Sequence, residues 1–187
     1  MYSYIDLPDG YREILHIDLQ NDKKLMLIVN TLAFVVMVLM MVAVAFFVPI
    51  TQYLNFGMWQ VLAFFGGEIL YMVLHELVHG IAMRHYSTAK VRYGFTGMYA
   101  FAASDAYYCR KHYIIIALAP IVVWGIVLGI LNFLVPMSWF YVVYLIQAGN
   151  ISGAAGDLYV AWRFSKLPED ILIRDTGVAM TVFSREG

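Results

Sequence analysis

A run of 25 residues without a charged side chain, residues 25–49, is the feature that most constrains the fold of this chain. It reads LMLIVNTLAFVVMVLMMVAVAFFVP. About 20 apolar residues in a helix cross the hydrocarbon core of a bilayer, so this run predicts a transmembrane helix. The composition agrees, because 62% of the 187 residues are hydrophobic and only 13% are charged, whereas soluble domains are about half apolar and a quarter charged. We therefore expect one membrane-embedded domain, residues 1–187.

Three more segments are long and apolar enough to be transmembrane helices: residues 58–83, 113–135 and 137–162. With these four crossings, all Lys and Arg residues fall on one side of the membrane: Arg12, Lys23, Lys24, Arg84, Lys90, Arg92, Arg110, Lys111, Arg163, Lys166, Arg174 and Arg185. The loops on the other side, residues 51–56 and 136–138, carry none. The positive-inside rule then predicts a multi-pass protein of the cell membrane with both termini, including the tail 163–187, in the cytoplasm. The second and fourth helices run parallel in this topology.

The polar N-terminus, MYSYIDLPDG, has no basic region or cleavage site and is not typical of a signal peptide. The net charge of −1 gives no indication of nucleic-acid binding, and the single cysteine, Cys109, excludes an internal disulfide.

Three cytoplasmic segments have the pattern of β-strands. Residues 11–19 alternate between apolar and polar side chains, and residues 171–183 indicate a hairpin about Asp175-Thr176-Gly177. Residues 91–101 have a possible turn at Thr96-Gly97 and large side chains at odd positions: Val91, Tyr93, Phe95, Tyr99 and Phe101. The predicted fold class is therefore an all-α polytopic membrane protein, with four transmembrane helices and small cytoplasmic β-hairpin elements. Asp105, Cys109 and His112 are interpreted as interfacial residues without assigned chemistry.

The second predicted helix contains the motif H-E-x-x-H, from His75 to His79, inside an apolar segment. Residues i and i+4 of a helix share a face, so both imidazoles can bind one metal ion, and Glu76 beside them can accept a proton from water. Ionisable groups inside a membrane are costly and mark functional sites. The alternative is that these histidines only hydrogen-bond to neighbouring helices.

A catalytic zinc ion needs a third protein ligand, and two residues compete for that position. His85 follows His79 by six residues, where a longer zincin motif has its third histidine, but Ala82 replaces the glycine that would break the helix. In a continuous helix His85 then points about 120° away and lies roughly 9 Å further along. Asp157 is the stronger candidate: it precedes Arg163 by six residues, and the two histidines precede Arg84 by nine and five. On parallel helices this places Asp157 between the histidines in depth.

Two further polar residues lie on the same helical faces, each seven residues earlier: Asn150 before Asp157, and Glu68 before His75. Asn150 could donate a hydrogen bond to a substrate carbonyl or orient a bound strand. Glu68 could form a proton or water path, or hydrogen-bond to Asn150.

A membrane-embedded H-E-x-x-H with a distant aspartate resembles the site-2 protease class of intramembrane zinc proteases. The tail GAAGDLYVAWRFSKLPEDILIRDTG, after the HELVHG helix and an ALAP helix, is similar to a bacterial family of zincin-type peptidases whose function is unknown. The resemblance extends from about Gly66 to Phe183. It implies zinc ligands at His75, His79 and Asp157, and a catalytic base at Glu76. The usual site-2 motif has glycine after the aspartate and a proline upstream, whereas here Gly156 precedes Asp157 and Leu158 follows it.

The resemblance implies hydrolysis of peptide bonds in a membrane protein or peptide, with Asn150 as a second catalytic group. A helical substrate must unwind to bind, and residues 91–101 could offer it an edge strand or could instead seal the cytoplasmic mouth of the site. We expect the cut in the cytoplasmic half of a substrate helix. Two other classes remain: an inactive zinc-binding membrane scaffold or regulator, and a haem bundle, which would need histidines on facing helices.

Overall fold

The computed structural model describes residues 3–49, 51, 56–97, 100–177 and 179–185. Most of the predicted loop 51–56, as well as Tyr99, lies outside these ranges. The described helices are α1 (Lys23–Ala45), α2 (Met58–Tyr86), α3 (Arg110–Leu134), α4 (Met137–Gly153) and α5 (Ala155–Ser165). The side chain of Asp22 caps α1 by accepting hydrogen bonds from the backbone N–H groups of Lys24 and Leu25.

Three of these helices, α1, α2 and α3, are long and apolar enough to cross a membrane. They coincide closely with the first three predicted spans. Their outer surfaces are strongly apolar, with 68% of Phe34, 60% of Ile126 and 92% of Phe133 exposed. Exposed apolar surface of this extent is typical of a protein in contact with lipid or with another protein.

The fourth predicted span, residues 137–162, is not one helix. Helix α4 ends at Gly153, and Ala154, with ψ of 13°, separates it from α5. Gly153 and Gly156 flank the break, and glycine is among the residues least favourable to a continuous helix. The break places Asp157 in the first turn of α5, where the helix dipole favours a negative charge.

The prediction of an all-α fold with small hairpins is wrong, because the polar segments form one six-stranded sheet. Its strands are β1 (Ser3–Tyr4), β2 (Arg12–Asp18), β3 (Val91–Phe95), β4 (Ala100–Cys109), β5 (Leu172–Asp175) and β6 (Ala179–Ser184). All pairs are antiparallel, in the order β1-β4-β5-β6-β2, and β3 pairs with β4 on the same side as β1. Strands β2, β3, β5 and β6 lie in or within one residue of the three segments that sequence alternation indicated, whereas β1 and most of β4 lie outside them. Their assembly depends on pairs that are far apart in the chain, such as Arg12 with Ser184.

The sheet covers one end of the helical bundle, where α1 and α3 begin and α2 and α5 end. Its inner face and those helix ends share the main hydrophobic core, in which Met83, Ile116, Phe164, Ile173 and Val182 are nearly inaccessible to solvent. The sheet therefore closes this end of the bundle, and β4 packs directly against α2.

The strands also carry an ion cluster. Asp105, on β4, accepts hydrogen bonds from Arg92 of β3 and Arg174 of β5. These two guanidinium groups lower the pKa of the Asp105 carboxyl to about 2. Asp105 is thus a structural member of the sheet, and its position at the membrane interface stays a prediction.

Candidate metal centre

Two histidines of α2 and one aspartate of α5 converge in the bundle. Nε2 of His75 lies 3.2 Å from Oδ2 of Asp157, and Nε2 of His79 lies 3.5 Å from Oδ1 of the same carboxylate. The three possible ligand atoms are all within 4.8 Å of one another. The rest of the described chain contains no comparable group of three histidine, cysteine or acidic side chains. The structure thus brings together the residues that the sequence proposed as metal ligands.

The tautomer of His79 follows from its second contact. Its Nδ1 lies 2.9 Å from the backbone carbonyl oxygen of Ile116 on α3. A carbonyl oxygen only accepts hydrogen bonds, so Nδ1 must carry the proton. In the neutral ring, Nε2 then has a free lone pair, and it points toward Asp157.

The tautomer of His75 follows from a chain of hydrogen bonds through Tyr71 to Asn150. Asn150, with 0% of its surface exposed, directs Nδ2 toward the Ile121 carbonyl oxygen at 3.4 Å and Oε1 of Gln147 at 3.3 Å. Its Oδ1 therefore faces Tyr71, whose hydroxyl donates to it at 2.9 Å. Because the Tyr71 O–H already donates its hydrogen bond to Asn150, the Tyr71 oxygen accepts a hydrogen bond from the Nδ1–H group of His75 at 2.8 Å.

Both imidazoles therefore hold their protons on Nδ1 and present Nε2 lone pairs to the same point. Two lone pairs and a carboxylate so close together repel one another unless a proton on one of the nitrogens or a metal ion lies between them. Two neutral imidazole nitrogens and one carboxylate oxygen are a ligand set that suits zinc and leaves a fourth position open. Hydrogen bonds from the second ring nitrogen to a carbonyl or hydroxyl are typical of metal-binding histidines. The residues present thus fit a zinc ion.

A cavity of about 400 Å³ opens onto the three ligands and also contains Glu76. The Glu76 carboxylate lies against the backbone N–H of Ala102 on β4. Because Glu76 follows His75 directly, it points to a different face of α2 and is available for proton transfer in the cavity.

One edge of β4 borders this cavity. Strand β3 pairs with residues 100–104 of β4, and on the opposite side β5 pairs with it only from Ser104 onward. Among the described residues, no strand pairs with that second side between residues 100 and 103. The Ala102 N–H that meets Glu76 belongs to this free edge, so the cavity contains the candidate metal ligands, the Glu76 carboxylate and an unpaired strand edge.

The structure places Asn150 near the ligands, where its amide bonds internally to Tyr71, Gln147 and the Ile121 carbonyl. Its proposed donation to a substrate carbonyl stays a prediction, since this geometry makes it a residue that positions His75. The Glu68 carboxylate packs on Gly149 of α4, next to Asn150, and no hydrogen bond joins the two in the described structure. The His85 ring contacts the Tyr86 ring edge-on at the end of α2, outside the ligand cluster.

Sequence reasoning missed Tyr71, the residue that connects a ligand to the neighbouring helix. Tyr71 precedes His75 by four residues and therefore shares its face of α2. A tyrosine hydroxyl one turn before a candidate ligand was a signal that could have identified it. No sequence signal could have identified the Ile116 carbonyl as the hydrogen-bond acceptor of His79, because only the packing of α3 against α2 brings the two groups together.

Comparison with known protein families identifies the family of the chain. A family model described as "Putative zincin peptidase" matches residues 68–172, which is more than half of the 187-residue chain. No curated protein and no solved structure matches the chain. The matched range contains the H-E-x-x-H motif of α2 and Asp157 of α5, so it includes every proposed ligand. The match confirms the resemblance to zincin-type peptidases, and the chain belongs to the family of putative zincin peptidases.

Proposed function

We propose that this protein is a membrane-embedded zinc metallopeptidase that hydrolyses peptide bonds of membrane-associated polypeptides. One observation carries the proposal: the three ligand atoms lie within 4.8 Å of one another, in a cavity that also contains Glu76. A site that only stored a metal would have no need for a carboxylate beside it that is free to exchange protons. The apolar surfaces of α1, α2 and α3 support a location in the membrane.

His75, His79 and Asp157 would hold the zinc ion. When bound, zinc would supply Lewis-acid activation of water and of the scissile carbonyl group. Glu76 would accept a proton as water adds to the carbonyl carbon, and would deliver that proton to the amide nitrogen as the C–N bond breaks. Tyr71 and Asn150 would keep His75 in the tautomer that leaves Nε2 free for the metal.

The free edge of β4 is the element best suited to hold the substrate. A helical peptide keeps its carbonyl groups in internal hydrogen bonds, so a segment must unwind before it can be cut. An extended segment can then pair with residues 100–103 as an added strand, beside Glu76. His79 and His75 are seven and eleven residues from the end of α2 at Tyr86, or about 10–17 Å along the helix. The cut should therefore fall in the half of the substrate helix nearer to the sheet, the cytoplasmic half in the proposed topology.

Zinc content and cleavage test the proposal together. Wild type, Asp157→Ala and Glu76→Gln would be purified in detergent with zinc, and Asp105→Ala would serve as the control for loss of a carboxylate outside the site. We expect about one zinc ion per chain in wild type, Glu76→Gln and the control, and a loss or weakening of zinc binding in Asp157→Ala.

Activity would be measured in proteoliposomes with a pool of single-span transmembrane peptides, and fragments would be identified by mass spectrometry. We expect fragments from wild type and the control but none from Glu76→Gln. Cleavage by Glu76→Gln at the wild-type rate would falsify the assigned base. Zinc in wild type without any fragments would favour the alternative, a zinc-binding membrane scaffold.

A further inference from the structure

Helix α1 contributes a polar residue to the cavity that the chemistry proposed above does not use. The cavity lies between α2, which carries the ligands, and α1, from which Met26, Val29, Asn30 and Ala33 line it. Helix α1 itself packs on α4 and α5. Asn30 is exposed, and the described structure gives its amide no hydrogen-bond partner.

An unpaired amide is costly at this place. Asn30 lies in a helix that is apolar enough to cross a membrane, and a polar group in hydrocarbon without a hydrogen bond is strongly unfavourable. The fold reduces this cost by placing Asn30 at the cavity. The position indicates a partner that enters the cavity.

Asn30 lies at the same depth as the metal ligands. It is seven residues into α1, counted from Lys23 at the sheet end, and His79 is seven residues from the sheet end of α2 at Tyr86. Both positions are about 10 Å along their helices from the sheet. A peptide bound at the metal centre would thus have β4 and Glu76 on one side and Asn30 on the other.

An extended peptide has hydrogen-bonding groups on both of its edges. Pairing with β4 satisfies the N–H and C=O groups of one edge only. The other edge would face α1, where the lining side chains other than Asn30 are apolar, and backbone groups left unpaired in an apolar environment are unfavourable. We propose that Asn30 hydrogen-bonds to the backbone of the bound peptide on the edge that β4 leaves unpaired. This inference rests on the proposed peptidase function.

The chemistry of the side chain fits this role. An asparagine amide has two donors and one carbonyl acceptor, the same kinds of group as a peptide unit. It recognises the backbone and is indifferent to the substrate side chains. Asn30 should therefore strengthen the binding of an unwound segment without selecting its sequence.

Binding of two zinc-directed probes to zinc-loaded protein in detergent tests the inference. Acetohydroxamate has no peptide backbone and reports on the metal alone, whereas a leucine tripeptide hydroxamate also places a backbone in the cavity. The variants are Asn30→Leu, which suits an apolar helix and should fold, and Thr31→Val, an exposed neighbour that does not line the cavity. Dissociation constants would be measured by isothermal titration calorimetry.

We expect Asn30→Leu to raise the dissociation constant of the tripeptide hydroxamate about fivefold to tenfold, which is the effect of one lost hydrogen bond. Acetohydroxamate should bind equally to all three proteins, and Thr31→Val should behave as wild type. N-methylation of single amides of the tripeptide adds a second test. At one amide, methylation should weaken binding to wild type and leave binding to Asn30→Leu unchanged.

The outcomes separate this inference from the proposed function. Equal binding of the tripeptide hydroxamate to wild type and Asn30→Leu would overturn the role of Asn30 and leave the metal site intact. If wild type bound the tripeptide hydroxamate no more tightly than acetohydroxamate, the cavity would not be a peptide site, and both proposals would fail. Failure of both probes on zinc-loaded wild type would show that the bound zinc has no position open to a ligand, which would overturn the proposed peptidase function and this inference with it.

Discussion

Removal of one hydroxyl group, in Tyr71→Phe, should weaken zinc binding although Tyr71 is not a ligand. The Tyr71 oxygen accepts a hydrogen bond from Nδ1 of His75 at 2.8 Å and donates one to Oδ1 of Asn150 at 2.9 Å. In the phenylalanine variant the His75 ring has no partner at Nδ1. It can then rotate, or move its proton to Nε2, where the proton would block the metal.

The magnitude follows from these two hydrogen bonds. Loss of an outer partner of a metal-binding histidine typically lowers metal affinity about 10–100-fold, which corresponds to about 1.4–2.7 kcal/mol. The metal-free protein should also lose stability, because Asn150 has 0% of its surface exposed and water cannot replace the lost donor. A buried polar group left unsatisfied costs about 1–3 kcal/mol.

The assay is competition for zinc between the purified protein and a fluorescent chelator at constant pH, together with chemical denaturation in mixed micelles. Tyr144→Phe is the matched control. The Tyr144 hydroxyl donates to the backbone carbonyl of Met40 at 2.7 Å, so this variant also loses one hydrogen bond between helices, but none that reaches a ligand. We expect Tyr144→Phe to cost about 1 kcal/mol of stability and to bind zinc as wild type does.

An unchanged zinc dissociation constant in Tyr71→Phe would refute the reasoning, because the tautomer of His75 would then not depend on the Tyr71–Asn150 chain. An equal loss of zinc affinity in Tyr144→Phe would refute it as well, since the effect would then reflect general destabilisation of the bundle.

Two further predictions concern the sheet. Gly177 has φ of +100°, and in Gly177→Ala the added Cβ would lie 2.3 Å from the Phe101 ring, whereas Gly10, with φ of +86°, has open space around it. Gly177→Ala should therefore lower the free energy of unfolding, measured by denaturation, by about 1–3 kcal/mol more than Gly10→Ala does. Equal losses in the two variants would contradict the close contact between Gly177 and Phe101. The two arginines that flank Asp105 lower its pKa from 3.8 to about 2, so its contribution to stability is complete above its ordinary pKa and is lost as the pH falls toward 2. In Asp105→Asn the free energy of unfolding should lack this loss between pH 3.8 and about 2. If wild type and Asp105→Asn lost stability equally over that range, the ion pairs of Asp105 would not stabilise the sheet.

The helices α1, α2 and α3 were predictable because long apolar runs are a local property of the chain. Strands β2, β3, β5 and β6 were predictable one by one, since alternation is equally local, but β1, most of β4 and the assembly of the sheet were not. Strand β2 pairs with β6 across almost the whole chain, and no local pattern specifies that pair. The break at Ala154 was also missed, because hydropathy is continuous across it although the helix is not.

In the candidate site, too, some features were predictable from local sequence and others depend on contacts between helices. The spacing of H-E-x-x-H places His75 and His79 on one face of a helix, and counting residues from the basic helix ends brought Asp157 to their depth. The first inference needed only helical geometry, and the second also needed the parallel direction of the two helices, which the positive-inside rule supplied. The protonated nitrogen of each imidazole is set by groups on other helices, Asn150 acting through Tyr71 and the Ile116 carbonyl.

Local sequence was sufficient for the apolar helices and for the placement of His75 and His79 on one helical face, because helical periodicity relates residues only a few positions apart. Long-range packing was needed for the rest: a sheet that closes one end of the bundle, a free edge of β4 beside Glu76, and a cavity that faces Asn30 on α1. Each of these depends on which segments meet after the chain has folded. That choice is made by burial of the shared core and by satisfaction of backbone hydrogen bonds, which are properties of the whole molecule.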